Sequence, residues 1–92
     1  MARITVLDFR ISDRAESKIW AHGISRDQLY ELLESRLNVI ENRKRRAAKH
    51  VVIGRDSNGR CIAVPVPPTD SPTVWRPITA WYCKSSEAAK LR

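Results

Sequence analysis

An α+β domain is the fold class this sequence predicts, and three observations carry it. Apolar residues alternate near the start of the chain, take helical spacing afterwards, and return to extended patterns from position 37 onward. A Ser-x-x-Gln capping signature marks a helix start at Ser25, and the pair Asn58–Gly59 sits between two apolar runs. The 92 residues, 42% hydrophobic with three Trp, suit one packed domain spanning 1–92 and leave no room for a second core.

The opening strand is expected over residues 3–9, RITVLDF, from its alternation and β-branched content. Ser12 or Asp13 then caps a helix whose buried face carries Ala15 and Ile19, and Gly23 closes it through the left-handed conformation glycine tolerates. The second helix is expected from Arg26 to about Arg36. Ser25 and Gln28 form its capping box, Ile24 and Leu29 a hydrophobic staple, and Leu29, Leu32, Leu33 and Leu37 its apolar stripe. Four strands follow, over 37–42, 48–55, 60–66 and 73–83, the middle two joined by a type I′ hairpin turn at Asn58–Gly59. Ser85, Ser86 and Glu87 begin a short final helix. The expected order is β-α-α-β-β-β-β-α, with two N-terminal helices packed on a mostly antiparallel sheet.

The formal charge of +7 is unevenly placed. Residues 1–40 carry six basic and six acidic groups, whereas residues 41–60 carry seven basic and two acidic ones. A concentrated cationic segment of this kind favours a polyanion, nucleic acid first, although an acidic protein would answer the same field. Arg43, Lys44, Arg45 and Arg46 fall in the turn between the strands 37–42 and 48–55, and Lys49 and Arg55 continue the positive charge along the next strand. With about four phosphate contacts, affinity should fall steeply with salt.

No apolar run is long enough to span a bilayer and no signal-peptide core is present, so a soluble, cytoplasmic protein is expected. Cys61 and Cys83 match no C-x-x-C spacing and are expected as buried thiols in a reducing compartment. The two histidines lack a Cys or acid cluster that would make a zinc site, so no metal or other cofactor is expected. His22, just before Gly23, suits the negative end of a helix dipole. His50 lies beside the arginine turn, and histidine is the side-chain type suited to exchange a proton near neutral pH. Cleavage of RNA without metal needs a base for the ribose 2′-OH, cations for the charge growing on the phosphorane, and an acid for the leaving oxygen. His50 with Arg46 and a further arginine would supply part of that set. Arg76 stands in an apolar row with Val74, Ile78, Ala80 and Tyr82. A guanidinium there is costly unless it pairs, for instance with Asp8, or faces a ligand. Trp75 and Trp81 share the other face, as core or as platforms for bases.

The segments AHGIS, GRDSNGR and WRPITA resemble the BrnT family of toxins from bacterial type II toxin–antitoxin pairs. His22, Gly23, Ile24 and Ser25 match that family's His-Gly-hydrophobic-cap segment, with Ala21 where Lys is usual; Arg76, Ile78, Thr79 and Ala80 match its C-terminal motif, with Trp81 in place of a second Arg. The resemblance implies a RelE-like fold, a metal-independent endoribonuclease that inhibits translation, and a cognate DNA-binding antitoxin covering the basic surface with an acidic segment. Combined with the charge pattern, this reading expects His50 to exchange protons, Arg46 and Arg76 to stabilise phosphate charge, and Arg43, Lys44, Arg45, Lys49, Arg55 and Lys84 to contact the RNA backbone. The alternative is a noncatalytic module of the same fold that binds RNA, the ribosome or DNA.

Overall fold

The structure is a computed structural model that describes residues 4–41, 50–67 and 69–91. Along the chain run β1 (Asp8–Phe9), α1 (Asp13–Ala21), α2 (Arg26–Leu32), β2 (Asn38–Glu41), β3 (His50–Arg55), β4 (Cys61–Val66), β5 (Val74–Trp75), β6 (Trp81–Tyr82) and α3 (Ser85–Ala88), with a 3₁₀ turn at Ala89–Leu91. Strands β2, β3, β4 and β6 form an antiparallel sheet in that order, while β1 and β5 pair in parallel as a separate ribbon. The α+β class stands. The single strand expected over 73–83 is instead two short strands in different sheets. Pro77 lies between them, without an amide to continue a ladder.

Both helix starts follow their caps. The Ser12 hydroxyl accepts from the Ala15 amide at 3.1 Å; Ser25 and Gln28 exchange reciprocal bonds at 3.2 and 2.8 Å. Helix α1 closes in a Schellman motif: Gly23, at φ 77°, donates to the Trp20 carbonyl, and Ile24 donates to Ile19. The side chains of Ile19 and Ile24 are fully buried there. Helix α2 stops at Leu32, short of the expected Arg36. The amides of Leu33, Glu34 and Ser35 bond only three residues back, and the Ser35 hydroxyl donates to the Leu32 carbonyl at 2.8 Å while accepting from the Arg55 amide. A serine bonded to nearby backbone in this way competes with helix continuation.

The sheet is covered on both faces, which is why Val51, Val52 and Ile53 are all buried. One face packs Val52, Ile62, Val64 and Val66 against Ile19, Ile24, Leu29 and Leu32 of the helical layer. The other packs Val51, Ile53 and Ala63 against Ile40, Trp81 and Leu91. In the N-terminal segment Leu7 and Asp8 both donate to the Thr73 carbonyl, at 2.9 and 3.3 Å, so two residues oppose one. That extra residue shifts the alternation, leaving Leu7 66% exposed and turning Phe9 into the core.

Two expectations are corrected here. The β3–β4 hairpin forms, but not through a type I′ turn. Within the turn only Gly59 has positive φ (81°), Gly59 donates to the Asp56 carbonyl and Asp56 to that of Arg60, so the connection is a type I turn closed by a glycine bulge. Cys61 and Cys83 are not free thiols. The β4–β6 register sets them opposite each other with Cα atoms 5.3 Å apart, within the roughly 4.4–6.8 Å a disulfide spans, and they are bonded.

Asp56 is the buried charge among the described residues. Its carboxylate accepts from the amides of Asn58 and Arg60, both at 2.9 Å, and from Gln28 Nε2 at 3.1 Å, with the Arg60 guanidinium at 3.3 Å. Gln28 also bonds the Tyr82 hydroxyl at 3.2 Å, and Arg60 lies over the Tyr82 ring, 5.1 Å from its centre. Burial pushes the Asp56 pKa up, but the backbone bond from Arg60, the Gln28 and Asn58 bonds and the Arg60 charge together hold it below the ordinary aspartate value.

Asp56→Ala should therefore lower the unfolding free energy by about 2–4 kcal/mol in urea titrations, since it leaves several donors without an acceptor. A depressed folded pKa gives stability that is complete above the ordinary aspartate value and disappears as the pH falls through the folded one. The wild type should therefore lose more stability than the variant below about pH 4. Reducing the Cys61–Cys83 bond, which spans 22 residues, should cost roughly 3 kcal/mol, read as a lower melting temperature in dithiothreitol; Cys61→Ser should show no such shift.

Candidate nucleic-acid interface

Among the described residues, His50 and the cations Arg55 and Lys84 fall at two ends of the four-stranded sheet. His50 opens β3, opposite Glu41 on β2 and Val66 on β4. Arg55 closes the same strand opposite Cys61, and Lys84 follows Cys83, which is bonded to Cys61. Five residue steps along the strand separate His50 from Arg55, about 16 Å. Arg55 is tied down by a bond from Nη1 to the Gly59 carbonyl at 3.0 Å. Arg43, Lys44, Arg45, Arg46 and Lys49 lie outside the described residues; in the sequence they belong to the segment that links Glu41 to His50.

His50 is half-buried, its ring edge-on to that of Trp75 at 6.1 Å. Its Nδ1 is buried and has no hydrogen-bond partner among the described residues. Trp75 is core: it is 7% exposed and donates its indole N–H to the Thr5 carbonyl at 2.9 Å. Trp81 is half-buried and donates to the Glu87 carboxylate at 3.0 Å, which also accepts from the Lys84 amide at the start of α3. Buried at this level, Trp75 presents no open face for a base. The exposed indole is that of Trp20, in a cleft of about 360 Å³ beside Glu16, Ser17 and Arg26.

Arg76 is not in a buried apolar row. Strand β5 ends at Trp75, whose side chain faces the core, so the next residue points out and Arg76 is exposed. It lines a cleft of about 410 Å³ with Arg10, Thr69, Asp70, Ser71 and Val74. The parallel register pairs Asp8 with Val74 and Phe9 with Trp75, and the Arg10 amide donates to the Trp75 carbonyl at 2.8 Å. Continuing that register by one residue sets Arg10 beside Arg76, on the same outer side of the ribbon. The far wall is shaped by hydroxyls: Thr69 Oγ1 donates to the Val74 carbonyl at 2.7 Å, and Ser71 Oγ accepts from the Thr73 and Val74 amides at 3.2 and 3.0 Å. The expected Asp8 partner is engaged elsewhere, its Oδ1 accepting from the Phe9 amide. All ten Asp and Glu lie among the described residues. The ion pairs among those residues are Arg26–Glu16 and Arg60–Asp56, neither of which involves Arg10 or Arg76.

The structure thus brings Arg76 together with Arg10, which the sequence reading did not single out, and not with His50, which sits on the core side of β5 against Trp75. Nothing in the sequence marks the Arg10–Arg76 pairing, because a parallel pairing between distant segments carries no turn signal. Among the described residues no group of three or more His, Cys, Asp or Glu is placed to hold a metal ion, and no helix is long and apolar enough to cross a membrane. Comparison with family models, with curated proteins and with solved structures finds no match for this chain.

The His50–Trp75 contact should be measurable as stability. His50→Ala should cost about 1–2 kcal/mol, and a double-mutant cycle with Trp75→Leu should return a coupling of roughly 0.5–1.5 kcal/mol.

Proposed function

We propose that this protein is the toxin component of a bacterial type II toxin–antitoxin pair, similar to BrnT and of RelE-like fold, and that it acts by binding RNA. The observation that carries the reading is the exposed pair Arg10 and Arg76, clear of every side-chain carboxylate by salt-bridge distance. A cleft lined by two arginines, neither of them in an ion pair, suits an anion from outside. In sequence, the segment 43–46 adds four further cations next to β3. Arg43, Lys44, Arg45, Arg46 and Lys49 would track the phosphate backbone, with Arg55 and Lys84 engaging a longer strand at the far end of the sheet. The antitoxin would cover the basic surface with an acidic segment.

The proposal places the protein in the cytoplasm, where RNA is. The Cys61–Cys83 bond weighs the other way, since a reducing compartment keeps most thiols free.

Endonucleolytic cleavage without metal is the second reading, and one observation favours it. The Nδ1 of His50 is buried without a partner among the described residues, and so is not committed there to a structural bond. His50 would then exchange protons while Arg46 and Arg76 stabilise phosphate charge. Its separation from the Arg10–Arg76 cleft favours binding without cleavage, to RNA, the ribosome or DNA.

Purified protein mixed with labelled single-stranded RNA tests both readings. Binding should weaken about fifty-fold between 50 and 200 mM salt if four phosphates are neutralised; no binding at the lower salt contradicts the proposal. Shortened strands in the presence of a chelator, lost by 10²-fold or more in His50→Ala, would establish cleavage. Full-length strands beside tight binding would establish the noncatalytic module. Expressed without a partner, the wild type should slow bacterial growth, and Arg76→Ala should relieve it.

A further inference from the structure

We infer that Arg10, not predicted from the sequence, joins Arg76 in gripping a single RNA phosphodiester in the cleft beneath the 69–71 turn. This inference rests on the RNA-binding reading and names the ligand group and a new residue at that site.

The geometry begins with the ribbon. Neighbouring strands lie about 4.8 Å apart, and side chains directly opposite on one face are in contact range. Phe9 and Trp75 point into the core, so the next rung, Arg10 with Arg76, points outward on a common side. Two like charges placed this way repel, and a fold tolerates the repulsion more easily when a counter-ion sits between them. No side-chain carboxylate fills that role among the described residues, which hold every Asp and Glu of the chain.

The remaining lining narrows the ligand. Asp70 faces the same cleft beyond salt-bridge distance of either guanidinium, so the cleft carries two positive charges and one negative. The net single positive charge matches a phosphodiester, which carries one negative charge, better than a terminal phosphate monoester, which carries up to two. The volume, about 410 Å³, accommodates a phosphate with part of its flanking sugars. Planar guanidiniums each offer paired N–H donors, so two of them can engage both non-bridging oxygens.

The test uses the full chain and a ten-nucleotide RNA with hydroxyls at both ends, so that only diesters are offered, with affinity read by fluorescence anisotropy across a salt series. Wild-type binding is the requirement of the RNA reading; its absence overturns that reading and this inference together. Given binding, Arg10→Ala and Arg76→Ala should each weaken affinity about tenfold, and Arg36→Ala, an exposed change of equal charge, should leave it within about twofold. The double variant should flatten the slope of log affinity against log salt by about 0.7, the value for one phosphate on a single strand. Unchanged affinity in Arg10→Ala overturns the inference and leaves the RNA reading standing. A slope change of about 1.4 means two separate phosphates and overturns the shared grip. Melting curves for each variant matching the wild type keep the comparison about binding.

Discussion

Two rungs of parallel backbone pairing, Asp8 with Val74 and Phe9 with Trp75, bring the start of the chain onto a segment near its end. Closing so long a loop costs configurational entropy, and two rungs cannot offset it by hydrogen bonding alone. The burial of Phe9 and Trp75 supplies the difference, on the order of 2–3 kcal/mol for each large side chain taken out of water. The same pairing fixes orientation. Because two residues, Leu7 and Asp8, share the Thr73 carbonyl, the alternation restarts with Phe9 inward, and Arg10 follows outward beside Arg76. Without that shift Arg10 would face the core, where an unpaired guanidinium is expensive.

A second constraint makes the opposite end of the sheet rigid. Asp56 gathers the hairpin turn, Gln28 gathers Asp56 and Tyr82, and Tyr82 reaches the Gly23 carbonyl at 3.3 Å, so the loop between α1 and α2, β6 and the β3–β4 turn are bonded into one assembly. Arg60 is spent within it on Asp56, and one Nη1 donor of Arg55 on the Gly59 carbonyl. A charge count alone therefore overstates what residues 41–60 offer to a polyanion. Some of those cations hold the turn, and two that stand clear of carboxylates, Arg10 and Arg76, come from segments where the charge count looked unremarkable.

Local signals in the sequence translated well into structure. The serine caps, the glycine closing α1, the Ile24–Leu29 staple and the β3–β4 hairpin are short-range features whose partners lie within a few residues, so their chemistry can be read in a window. Three features could not be read that way. The turn type at Asn58–Gly59 depended on Asp56 capturing the amides of Asn58 and Arg60, a choice made between a buried carboxylate and two backbone donors. The extent of α2 depended on Ser35, whose hydroxyl answers both its own helix and β3. The run 73–83 looked continuous because its alternation is regular, yet Pro77 divides it between two sheets. That division moved Arg76 from a supposed buried row to the surface, and it set Cys61 opposite Cys83, since pairing register across a sheet is invisible to spacing along the chain.

If two guanidiniums at the β1–β5 ribbon share one anion, as proposed, nitrogen-15 NMR of the arginine side chains observes it directly. On titration with single-stranded RNA, the Nε–Hε resonances of Arg10 and Arg76 should shift together along one saturation curve. Shifts confined to Arg55 and Arg60, or Arg10 and Arg76 saturating at clearly different concentrations, would contradict it.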